Sequence, residues 1–106
     1  MDANSYEQER AEVMVIDDDD SVLKTTILIL EEEGFQIDAF STGKEAIDKF
    51  NSNIHAVVLD INMPDLTGLQ VFKRIKSINP HVPIIFHTGT TVMLEERRDI
   101  RRQFRP

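Results

Sequence analysis

Val13-Met14-Val15-Ile16-Asp17-Asp18-Asp19-Asp20 and Ala56-Val57-Val58-Leu59-Asp60-Ile61-Asn62-Met63-Pro64-Asp65 decide the fold. Each is a short apolar run that stops abruptly in carboxylates. Runs of four apolar residues without polar alternation are the mark of strands buried on both faces, as in parallel sheets. In an open parallel sheet the carboxyl ends of neighbouring strands share one crevice. Asp17, Asp18 and Asp60 are therefore predicted to converge, although about forty residues separate the two runs. Three carboxylates in one crevice repel each other unless a cation joins them. The expected cation is hard and oxygen-seeking; Mg²⁺ suits a site offering a few carboxylates, waters and a phosphate oxygen.

The rest of the chain alternates around these two strands. A helix is predicted from Ser21 to about Glu33, with Asp20 or Ser21 as its cap and Gly34 as its stop. A strand follows over Phe35 to Phe40, and Ser41 or Thr42 opens a second helix carrying Ala46, Ile47 and Phe50, which ends near residues 51–53. Leu69, Phe72, Ile75 and Ile78 mark a third amphipathic helix closed by Asn79-Pro80, and Val82 to Phe86 reads as the fourth strand. A last helix is expected through Leu94, Ile100 and Phe104. Strands alternating with helices at these lengths imply a doubly wound α/β structure with a parallel sheet.

Composition sets the limits. With 106 residues, 41% of them apolar and 29% charged, one globular domain is expected. Absence of Cys excludes disulfides, thiolate metal sites and a cysteine nucleophile. The formal charge of -7 hides a split: residues 97–106 carry five Arg against one Asp, so the remainder is more acidic still. An acidic body argues against nucleic-acid binding by this chain. Residues 1–12 read as a flexible polar leader ahead of a domain over residues 13–106. They lack the basic start and apolar stretch of a signal peptide, and no apolar run reaches membrane-spanning length, so a cytoplasmic protein with no membrane contact is expected.

Taken together, these motifs resemble the receiver domain of two-component response regulators. Asp17 and Asp18 match the family's acidic pair, Asp60 its phosphoacceptor, Asn62-Met-Pro-Asp-Leu-Thr-Gly68 its loop after the third strand, and Thr88 its hydroxyl switch residue. The resemblance spans Val13 to about Met93 and implies a flavodoxin-like fold of strand order 2-1-3-4-5. It also implies the chemistry: Asp60 takes a phosphoryl group from a phosphohistidine of a sensor histidine kinase or a phosphotransfer protein. Mg²⁺ would be held by Asp18, Asp60 and the backbone carbonyl of Asn62, with Asp17 acting through water. The Thr88 hydroxyl would bond the phosphoryl oxygens and so bias a surface that partners read.

The resemblance places the family's fifth strand and fifth helix beyond Pro106, so both are expected to be missing, and with no Lys after Lys76 so is the family's phosphate-contacting Lys. The predicted sheet is thus 2-1-3-4, with Val82 to Phe86 as an open apolar edge and a homodimer expected through that edge or through the last helix. Two competing readings are weaker. A degenerate receiver would serve only as a dimerisation module. A Mg²⁺ phosphohydrolase of the haloacid dehalogenase type would use Asp17 as nucleophile and Asp19 as acid and base, leaving Asp60 without a role. Other residues have simpler readings: Asp19 and Asp20 as cap and surface residues, His55, His81 and His87 as surface or packed side chains, and the arginines as a solvated helix face.

Overall fold

The computed structural model describes residues 10–88 and 91–94. In chain order its elements are β1 (Glu12–Ile16), α1 (Asp20–Glu32), β2 (Gln36–Phe40), α2 (Gly43–Lys49), β3 (Ala56–Asp60), α3 (Gly68–Ile78), β4 (Ile84–Thr88) and β5 (Thr91–Leu94). The sheet runs β2-β1-β3-β4-β5. Its first four strands are mutually parallel in the predicted order 2-1-3-4.

The fifth strand differs from expectation. Thr91–Leu94 lies antiparallel along β4, with Thr88 opposite Thr91 and Ile85 opposite Leu94. The edge of β4 that was expected to be open is therefore paired, which removes the basis for a dimer through it. The reason is local: Thr91-Val-Met-Leu94 is β-branched and apolar enough to extend, and its backbone then satisfies the outward N–H and C=O groups of β4. Leu94, expected in a helix, ends this strand, and the remainder of the predicted last helix lies outside the described residues. Residues 1–9 of the predicted leader also lie outside them, while Glu12 already belongs to β1.

Strand alternation divides the sheet into two faces. Met14 and Ile16 of β1, Val57 and Leu59 of β3, and Ile84 and Phe86 of β4 point into one core, closed by Ala46 and Phe50 beside α2 and by Val71 and Ile75 of α3. The Phe72 and Phe86 rings meet there at a centroid distance of 5.4 Å. Burial on α3 falls on Gly68, Val71 and Ile75, spaced by three and four; Ile78, expected on the same stripe, is the last residue of the helix and 52% exposed. On the opposite face α1 packs over β1 and β2, none of its own residues becoming completely buried.

Boundaries follow local chemistry. Thr42 caps α2, as predicted, and Thr67 with Gln70 forms a reciprocal capping box at the start of α3. Gly34, at φ 96°, ends α1 in a conformation that a Cβ would strain, and the Phe35 amide closes back on the Leu30 carbonyl at 3.1 Å. The strand read as starting at Val82 starts instead at Ile84, because Pro83 has no N–H to give to the ladder. Lys76 seals the far end of α3, donating from Nζ to the carbonyls of Pro80 and Val82 at 3.1 and 2.7 Å.

Candidate functional site

The four consecutive aspartates have separate jobs. β1 delivers Asp17 to the sheet's carboxyl end, where it is 2% exposed. Its Oδ1 accepts the Asp19 amide at 2.9 Å. Asp19 in turn caps α1, its Oδ1 accepting the amides of Ser21 and Val22 at 2.9 and 3.1 Å. The cap is thus Asp19, in line with its reading as a cap residue, and not Asp20 or Ser21, the two helix-start candidates. Asp20 opens the helix, where a negative charge favours the dipole. A carboxylate committed to two helix amides is poorly placed as an acid and base, which removes the phosphohydrolase reading.

Asp60 ends β3 and is 9% exposed. Its Oδ1 accepts the Asn62 amide at 3.1 Å. The loop behind it is drawn in by two backbone bonds, Ile61 N–H to the His87 carbonyl at 3.1 Å and Gly68 N–H to the Ile61 carbonyl at 2.8 Å. The second requires glycine, since a Cβ at residue 68 would lie 2.5 Å from the Ile61 Cα. Further along the loop, Asp65 reaches back to the amides of Gly43 and Lys44 at 3.3 and 3.1 Å, joining this loop to the start of α2. Burial would raise the Asp65 carboxyl, but those amides outweigh it and hold the group below its ordinary value.

Asp17, Asp18 and Asp60 converge as predicted: each offers an oxygen, and the three lie within 4.8 Å of one another. They line an open crevice of about 270 Å³ with Asp19, Val22, Asn62 and His87. Crowding shows in the electrostatics. The Asp18 carboxyl is raised, by desolvation first and then by its hydrogen bond to the Asp60 carboxyl. The donor set is all oxygen, carries excess negative charge and opens to solvent, which fits a hard divalent cation that keeps several waters. Thr88 ends β4 beside the crevice, but its side chain lies outside the described residues.

His87 was read as a surface or packed residue; instead it belongs to the crevice. Its Nε2 lies 3.1 Å from Asp17 Oδ2, with the imidazole side chain 12% exposed. The signal that finds it is register. Ile16, Leu59 and Phe86 are paired across β1, β3 and β4, all on the core face, so the next residue of each strand turns to the other face. Those next residues are Asp17, Asp60 and His87.

The sequence pattern of the response regulator receiver domain matches residues 13–101. The chain belongs to the response regulator receiver family. The transcriptional regulatory protein CssR of Bacillus subtilis is 35% identical over 74 residues, 70% of this chain and 33% of that protein. Like other curated relatives, it is matched over about a third of its length. Among solved structures, the response regulator TrrA of Thermotoga maritima, in complex with Mg(2+)-BeF, is 34% identical with a TM-score of 0.71, covering 76% of this chain and 71% of that one. TrrA in complex with the histidine kinase ThkA gives 35% identity and a TM-score of 0.70 over the same shares. By family, this chain is a receiver module of the response regulator kind. Among the described residues, no helix is long and apolar enough to cross a membrane.

Proposed function

We propose that this receiver takes a phosphoryl group onto Asp60 from the phosphohistidine of a sensor histidine kinase or a phosphotransfer protein, in the cytoplasm. The observation that carries this is the convergence of the Asp17 and Asp18 oxygens with those of Asp60, the carboxylate that ends β3. The Asn62 amide fixes Asp60 Oδ1 and leaves the other oxygen to attack phosphorus in line. An O–P bond forms as the P–N bond of the phosphoimidazole breaks, and the electron pair stays with the ring nitrogen. The carboxylate oxygen is itself the nucleophile, so the step calls on position and charge neutralisation and not on a general base.

Asp18, Asp60 and the backbone carbonyl of Asn62 would hold Mg²⁺, with Asp17 acting through water. When bound, the cation neutralises the crevice so that a phosphoryl anion can approach three carboxylates. The Thr88 hydroxyl would then bond the phosphoryl oxygens and bias the surface around β4 that partners read. Slow loss of the acyl phosphate to water would reset it. Intact-mass spectrometry after incubation with acetyl phosphate tests the reading. One added phosphoryl group that requires both Mg²⁺ and Asp60 is expected. An unmodified but folded protein, or an adduct that survives Asp60→Asn, would sink it.

A further inference from the structure

We propose that His87 is a positioning residue of the cation site: its Nε2–H anchors the carboxylate of Asp17 and thereby sets Mg²⁺ affinity. The inference rests on the reading of the crevice as a Mg²⁺ site. Asp17 is held from both sides, Oδ1 by the Asp19 amide at 2.9 Å and Oδ2 by His87 at 3.1 Å. With one donor on each oxygen, the carboxylate plane is fixed and the remaining lone pairs face the crevice. Removing the imidazole leaves a carboxylate that is 2% exposed with a donor on only one oxygen, free to turn about a soft terminal torsion.

His87 acts through Asp17 and is not counted among the ligands. Among the described residues the group of ligand atoms within 4.8 Å of one another comprises Asp17, Asp18 and Asp60 alone. The imidazole comes from β4, in register with Asp60, and reaches past β3 to Asp17 beyond β1. It therefore braces the three strands that carry the site. Partners that orient a metal site's carboxylates from behind typically change metal affinity ten- to a hundred-fold when removed.

The test titrates MgCl₂ into the full chain by calorimetry, for wild type, His87→Leu and His87→Gln, with melting curves taken without Mg²⁺. His87→Leu should weaken Mg²⁺ binding about ten-fold or more, while His87→Gln, whose amide places a donor near the same point, should recover it to within about three-fold. A merely structural histidine would lower the melting temperature without changing the ratio of affinities. Equal Mg²⁺ binding by wild type and His87→Leu, or a Gln variant as weak as Leu, would overturn the inference and leave the phosphoacceptor reading intact. Failure of wild type to bind Mg²⁺ would overturn both. Should His87→Leu not fold, ¹⁵N spectra of wild type decide: the His87 Nε2 resonance must carry its proton and shift on Mg²⁺ addition, and no shift refutes the role.

Discussion

Two carboxyl pairs in this receiver invite comparison, because only one of them stands beside a third carboxylate. Asp18 and Asp60 share a hydrogen bond at the carboxyl ends of β1 and β3, and Glu12 and Asp38 share one on β1 and β2. Each pair raises a carboxyl above its ordinary value, and each has a histidine nearby. The difference lies in what surrounds them. His55 uses Nδ1 to accept the Glu12 backbone amide at 2.9 Å, a bond that closes a loop onto a strand. His87 instead bonds a third carboxylate, Asp17, which is buried and shares a crevice with the pair. An acid pair alone is tolerated by sharing a proton; a buried third carboxylate at the meeting of strand ends creates the demand for a cation.

The largest expected effect tests how firmly the site end is built. Gly68→Ala drives a Cβ into the Ile61 backbone behind Asp60 and should cost about 2–3 kcal/mol in urea unfolding. Gly34→Ala, far from the crevice and with open space around it, should cost only about 1–2 kcal/mol, from its backbone conformation alone. Equal losses would mean that the loop behind Asp60 yields easily.

Next comes the cation. At a hundred-fold excess over its Kd, Mg²⁺ should stabilise wild type by about 2.7 kcal/mol in thermal unfolding. Asp60→Asn should lose that gain, whereas Asp38→Asn should keep it. A gain that survives Asp60→Asn would break the distinction between the two pairs.

Asp65→Asn should cost about 1 kcal/mol near neutral pH, as its two amide bonds weaken. The sign with pH follows from the lowered Asp65 carboxyl. Its contribution is present above the ordinary value, about 4, and is lost as pH falls through the folded value, so wild type and variant should converge in acid.

The smallest effect is the sharpest. Raised carboxyls at Asp18 and Glu12 contribute stability below about pH 4 that is lost as pH rises through their folded values. Mg²⁺ should abolish that loss for Asp18, shown by comparison with Asp18→Asn, and leave unchanged the part removed by Glu12→Gln. PH-dependent melts with and without Mg²⁺ separate the two.

Much of the site was legible because its carboxylates end apolar runs, and strand ends in a parallel sheet share a crevice. Asp17, Asp18 and Asp60 needed only that rule. Gly34, Thr42 and Asn79-Pro80 likewise announce their helix ends through local backbone chemistry. What escaped is non-local or evenly balanced. β5 was missed because a short apolar, β-branched stretch carries no period long enough to separate strand from helix. His87 was missed because its partner is seventy residues away and only the register of β4 against β3 joins them. Asp65 reads as a turn residue until α2 is seen folded beneath it.

The row Ile16, Leu59 and Phe86, followed by Asp17, Asp60 and His87, makes folding fidelity and function the same event. Slipping β4 by one residue against β3 would turn over every side chain it carries. Phe86, now fully buried, would be thrust out of the core and the imidazole forced into it. A mispaired chain therefore cannot keep a sound interior while presenting a faulty crevice; one error forfeits both, and the hydrophobic core proofreads the acidic crevice.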